Sequence, residues 1–300
     1  MSGNQVRYRH IRTAISENDR SFALLSIANP GDVKKALFFV HGFAGKATTT
    51  WADFLSLADD GLTSRWWEGA DMFFYDYHRA SIREQIHDNA VDLFHFLEKM
   101  FPAPPEGLFN RPEENLDLRP RGFCYDEMYL VGHSEGGLLA RRAILMAAEK
   151  DQGLQAYRNL SVMTAPEPKG LLKAYLRLFA PAIAGTLLTG IRGLIARSPV
   201  VEMAMAVVVA AAKQGLGPEA PPVTTARNET KEMADAVNMD CFRAHIVWAD
   251  KDWVVYKEKY PKDRECTNSH RGTRHTTVCK PNEAYRLPLE FVEKGIGACV

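Results

Sequence analysis

The sequence predicts an α/β fold: a mostly parallel central sheet flanked by helices, with an inserted helical cap. Three observations carry that prediction. Short apolar runs, each about one buried strand long, alternate with longer stretches of helical period. One of those runs passes directly into a helix through a turn bracketed by Gly132 and Gly136. Residues 166–238 are too long for an ordinary connection between adjacent elements, and much of the segment has helical character.

Along the chain, the buried-strand candidates are residues 36–40, 72–75, 128–131, 160–164 and 245–248. Residues 81–100 are predicted to be helical because Ile82, Ile86, Ala90, Leu93 and Leu97 recur at three- and four-residue steps. A second helix follows Ser134 through about Glu149. Residues 101–121 carry five prolines and several charges, and read as an irregular surface excursion. In the cap, Pro181, Gly185, Gly190 and Gly193 divide the first half into short pieces, and residues 215–222 end a second long helix. The expected organisation is a core of residues 1–165 and 239–300 with a helical cap insertion of residues 166–238.

Composition narrows the function. The 37 basic and 37 acidic residues cancel, and no basic tail or aromatic-basic stripe is present, so nucleic acid is not an expected partner. The polar first ten residues lack the apolar core of a secretory signal. Five cysteines are an odd number for a disulfide framework. Both features point to a cytoplasmic location. No segment has the uninterrupted apolar length of an ordinary membrane-spanning helix.

The chemistry centres on Gly132-His133-Ser134-Glu135-Gly136. Glycines on either side of Ser134 let strand and helix approach closely around a serine held in a tight turn. The Glu135 amide, at the start of the helix, is placed to face an oxygen that gains negative charge beside Ser134. A serine hydroxyl is a poor nucleophile alone; an imidazole must accept its proton, and a carboxylate should orient that imidazole. Downstream, residues 247–255 expose Asp250 and Asp252 in a turn, and His275 follows in a late loop. The order is serine, acid, histidine.

These residues resemble the α/β-hydrolase superfamily, particularly its capped esterases and lipases, over nearly the whole chain except residues 101–121 and the cap. The resemblance implies hydrolysis of a carboxylic ester through an acyl-enzyme, with no cofactor or metal. It matches Ser134 to the nucleophile and His275 to the base. The family pattern of glycine, two residues, aspartate, two residues and valine falls on residues 249–255 and points to Asp252 as the acid. Ala249 replaces the family glycine, which keeps Asp250 open as an alternative, with Glu167 a more distant one. The run Phe38-Phe39-Val40-His41-Gly42-Phe43-Ala44-Gly45 resembles the superfamily's oxyanion loop, with the Phe43 amide as its donor. Asp76 and Tyr77 either line the pocket or form a strand-end turn, and His41 and His133 are assigned supporting roles.

Other readings of the same residues remain. Cys266, His270, His275 and Cys279 are spaced to allow a zinc cluster, and Cys266 with Cys279 a disulfide, against the simpler reading of small buried cysteines. The chain can also be a binding protein on a hydrolase fold. Residues 171–180 mix an apolar face with Lys173 and Arg177, residues 200–212 are almost entirely apolar apart from Glu202, and both are expected to close over Ser134 as a hydrophobic pocket, or to pack as core. Six Lys or Arg against two Glu in residues 166–215 allow a weak lipid-interface contact. The expected substrate is a small or medium hydrophobic ester, with lactone, lipid ester and peptide as alternatives; oligomeric state is left open.

Overall fold

The computed structural model describes residues 8–14, 22–28, 32–43, 45–59, 64–77, 85–111, 116–152, 169–182, 217–236, 239–252, 254–266 and 271–299. Strands β1 (Tyr8–Ala14), β2 (Phe22–Ala28), β3 (Lys35–Val40) and β4 (Ala70–Asp76) come first, with the short helices α1 (Ala47–Thr50), α2 (Ala52–Asp59) and α3 (Arg65–Glu68) between β3 and β4. Helix α4 (Gln85–Met100) and the two-residue strands β5 (Asn110–Arg111) and β6 (Leu116–Asp117) precede β7 (Glu127–His133). Then follow α5 (Glu135–Gln152), β8 (Tyr175–Phe179), α6 (Pro221–Ala236), β9 (His245–Val247), β10 (Arg264–Glu265) and α7 (Leu287–Lys294).

Eight strands form one sheet in the order β1-β2-β4-β3-β7-β8-β9-β10. The β1–β2 and β2–β4 pairs are antiparallel and every other pair is parallel. Parallel strands covered on both faces must be apolar at nearly every position, and β3 and β4 are buried along almost their full length. Their register sets Phe38 opposite Phe73 and Phe39 opposite Phe74. Alternation then sends the two pairs to opposite faces. Phe38 stacks on Phe73 at 4.6 Å and meets Phe96 of α4 edge-on, whereas Phe39 stacks on Phe74 at 4.8 Å and packs against Trp51 and Phe54.

Four predicted strands are present in β3, β4, β7 and β9, and the two predicted helices are α4 and α5. The expected strand at 160–164 lies outside the described residues, and the sheet position beside β7 belongs to β8. This corrects the cap boundary. Residues 175–179 are a central sheet strand, and the preceding 3-10 turn Gly170–Lys173 packs on α4 and α5. Arg177, one of the six basic residues of 166–215, is buried beside the paired rings of Tyr129 and Tyr175, 5.7 Å from each. Pro221 and Pro222 open α6, which packs against α5; proline fits a helix's first turn because its missing N–H has no partner to lose there. Residues 183–216, including the apolar run at 200–212, lie outside the described residues.

The proline-rich excursion is also more ordered than expected. Its β5–β6 ribbon leads into Arg119, whose guanidinium reaches Asp71 of β4 at 2.7 Å and lies over the rings of Phe109 and Phe123. Tyr125 donates a second bond to Asp71, at 2.7 Å. The cysteines likewise depart from expectation: Cys266 is bridged to Cys299, not Cys279, while Cys124, Cys241 and Cys279 are free thiols. With a bridge present, an odd count no longer argues for a reducing compartment. Among the described residues no helix is long and apolar enough to cross a membrane.

Candidate active site

Ser134 stands between the end of β7 and the start of α5 with φ of 55°, in the left-handed region that a non-glycine residue rarely adopts. The surrounding glycines make that turn possible. A Cβ on Gly136 would come within 2.2 Å of the Val40 carbonyl, one on Gly132 within 2.8 Å of the Gly136 carbonyl, and one on Gly42 within 2.6 Å of Ser134 Cβ. Side chains at these three positions would push the β3 loop, the strand and the helix apart. The end of β8 supplies the remaining support. Ser134 N–H donates to the Phe179 carbonyl at 3.1 Å, and the Ser134 carbonyl accepts from Gly137 at 3.0 Å and Ala182 at 2.9 Å. Ala180, itself at φ of 40°, turns the chain there, and Pro181 abuts Gly137.

The acid and histidine loops are laced together before their side chains meet. Lys251 N–H donates to the Thr273 carbonyl at 2.9 Å, and the Asp250 carboxylate accepts the Gly272 N–H at 2.9 Å. The Asp250 N–H donates to Thr273 Oγ1. Asp250 therefore grips backbone, and Asp252 is the carboxylate that faces the imidazole: His275 Nδ1 lies 2.9 Å from its Oδ2. The other oxygen, Oδ1, accepts the Val254 and Val255 N–H groups. Burial pushes the Asp252 pKa up, but the hydrogen bond and charge of His275 and the two backbone donors outweigh it and leave the group below the usual carboxylate range. An ionised carboxylate only accepts, so the proton of His275 sits on Nδ1 and the Nε2 lone pair is left for a base.

His133 joins this pair to the serine turn. It precedes Ser134, its Nε2–H donates to the His275 carbonyl at 2.8 Å, and the two rings lie 4.8 Å apart. Burial first, and the neighbouring His275 second, pull its pKa down to about 3, so the ring is neutral at ordinary pH. Ser134 and His275 are both nearly buried, at 6% and 8% exposure. Glu135 is buried as well.

Phe43 lies on the loop after β3, partly buried against the core, and its N–H donates to no backbone carbonyl among the described residues. Asp76 and Tyr77, at the end of neighbouring β4, both contact His41 of this loop. Of the alternative zinc set, Cys266 is committed to its disulfide, His275 Nδ1 is engaged by Asp252, and His270 lies outside the described residues, as does Glu167. The supporting turn Ala180–Ala182 is absent from the sequence-derived site. The β-forming run Tyr175-Leu-Arg-Leu-Phe ended by Ala-Pro is the signal for it, obscured by the apolar residues on either side.

No protein-family model matches the sequence, and no curated protein matches it. Solved structures do. A hyperthermophilic esterase from the archaeon Pyrobaculum calidifontis is 17% identical, with 98% of this chain and 87% of that chain covered and a TM-score of 0.53. Esterase B from Lactobacillus rhamnosis is 16% identical over 100% and 88% of the two chains, with a TM-score of 0.51. Carboxyl esterase 2 from the fungus Tuber melanosporum is 13% identical over 100% and 88%, at 0.50. At these identities the likeness establishes architecture: the mostly parallel central sheet and its flanking helices are those of the α/β-hydrolase fold.

Proposed function

We propose that this α/β-hydrolase-fold chain is a serine-dependent carboxylic ester hydrolase that works through an acyl-enzyme. The observation that carries the reading is the joining of a strained Ser134 turn, through His133, to a His275 whose Nδ1 faces Asp252. His275 Nε2 takes the Ser134 proton as the hydroxyl attacks the ester carbonyl, and the Phe43 and Glu135 amides face the oxyanion. Collapse expels the alcohol with the proton returned by His275, and water activated by the same imidazole releases the acid. Asp252 stabilises the imidazolium at each stage. The apolar sequence of residues 200–212 favours a small or medium hydrophobic ester, and the esterases of like architecture support the same class.

A fluorophosphonate probe tests the reading. It should label wild type at Ser134 and leave Ser134→Ala unlabelled; absence of labelling in native protein would make the chain a binding protein instead. Acyl esters, lactones, lipid esters and peptides of graded length then fix the substrate. Turnover confined to peptides would overturn the ester assignment.

A further inference from the structure

We infer that Asp76 and Tyr77 are positioning residues that set, through His41, the plane of the Gly42–Phe43 peptide whose N–H is proposed to meet the oxyanion. This rests on ester hydrolysis at Ser134 and adds what keeps one donor of that site in place.

Strands β3 and β4 are parallel neighbours, with Val40 opposite Tyr75, so the residues that follow them leave the sheet side by side. Asp76 uses that adjacency to hold both ends of residues 41–47. Its Oδ1 lies 3.1 Å from His41 Nε2, and its Oδ2 accepts the Ala47 N–H at 3.4 Å. Tyr77 adds two restraints. Its hydroxyl donates to the His41 carbonyl at 3.0 Å, and its ring stacks on the imidazole at 4.2 Å with the planes 6° apart. His41 is fully buried between these contacts.

The other ring nitrogen, Nδ1, is 2.9 Å from the Gly42 carbonyl, which also accepts the Gly45 N–H at 2.9 Å. The Gly42 C=O and the Phe43 N–H belong to one planar trans peptide and point in opposite directions. Whatever orients that carbonyl therefore aims that N–H. Gly42 is pressed against Ser134, so the peptide also has a fixed position relative to the nucleophile. The coupling runs from Asp76 and Tyr77, which fix the His41 ring and both ends of the loop, to the Gly42 peptide packed beside that ring, and to the Phe43 donor.

A donor held in advance counts in the transition state and hardly at all in substrate binding, and losing one costs about 10²–10³-fold in kcat. Loosening one should cost less. Asp76→Ala is expected to lower kcat about 10–100-fold with KM within about 2-fold, Asp76→Asn to recover part of that loss, and Tyr77→Phe to cost about 3–10-fold. Each kcat is taken per phosphonate-titrated site, so misfolded enzyme is not counted. A trifluoromethyl ketone, which forms an oxyanion on Ser134, should weaken in step with kcat/KM across the series. Wild-type kcat per titrated site in Asp76→Ala, or a loss expressed as raised KM with unchanged ketone affinity, overturns the inference. A wild type that is neither labelled nor active overturns instead the hydrolase reading beneath it.

Discussion

Strand β4 carries an aspartate near each end, and their surroundings differ in kind. Asp71, at the start, is wholly buried and is matched by Arg119 and Tyr125, which tie the proline-rich excursion to the sheet. Asp76, at the end, is partly accessible and holds a loop that runs beside Ser134. The same contrast runs across the sheet. Strand starts carry a closed ion pair and cation-aromatic contacts; strand ends carry positive φ, a neutral buried histidine and a carboxylate facing an imidazole. One edge holds the fold together, and the other spends stability on geometry.

That division can be broken by experiment, beginning where the effect should be largest. Ser134→Ala should lower ester turnover by on the order of 10⁴-fold or more in a fully folded protein, measured as kcat with thermal unfolding alongside. Asp252→Asn should cost on the order of 10³–10⁴-fold, because the wrong His275 tautomer then faces the serine, while Asp250→Asn stays within about 10-fold. At the opposite edge the pattern inverts. Arg119→Ala strands a buried carboxylate and should destabilise by about 3–5 kcal/mol in urea melts, with kcat per folded molecule nearly unchanged. A large loss of kcat in folded Arg119→Ala would erase the distinction between the edges.

A smaller effect lies in pH. His133 has a folded pKa of about 3 against an ordinary 6.5, so between those values the unfolded chain binds a proton that the folded chain refuses. Stability should therefore fall as pH drops below 6.5, by up to about 1.4 kcal/mol per pH unit from this residue. Asp252, held low when folded, adds in the same direction as pH falls through the carboxylate range. Urea melts at stepped pH should show a shallower slope in His133→Gln. Smallest of all, Ala180→Gly should stabilise by about 0.5–1 kcal/mol, since φ of 40° suits glycine better than alanine.

The parts of the molecule legible in sequence were those with local signals. Strands β3, β4, β7 and β9 announce themselves as apolar runs, and the Ser134 turn by glycines whose hydrogens are all the space allows. Strand β8 was not legible, because Leu171 to Ala182 is apolar but for Lys173 and Arg177, and period alone does not distinguish a buried strand from a buried helix. The β1–β2 hairpin was missed because its charged, weakly alternating first strand is specified by pairing with β2. Pairings over long separations were beyond reach too. Cys266 chooses Cys299 over the nearer Cys279 through tertiary placement, and Arg119 finds Asp71 across 48 residues. At the site, the choice between Asp250 and Asp252 needed the register of two loops, which spacing alone did not supply.

The backbone at Ser134 has a consequence for how such a sequence drifts. Its left-handed φ suits glycine, so folding alone pushes that position toward a residue with no hydroxyl. Ser134→Gly would relax the turn and remove, in one step, the hydroxyl that the proposed chemistry needs. If Ser134 acts as proposed, only selection on that activity opposes the step, and a copy of this chain released from such selection would become sturdier as it fell silent.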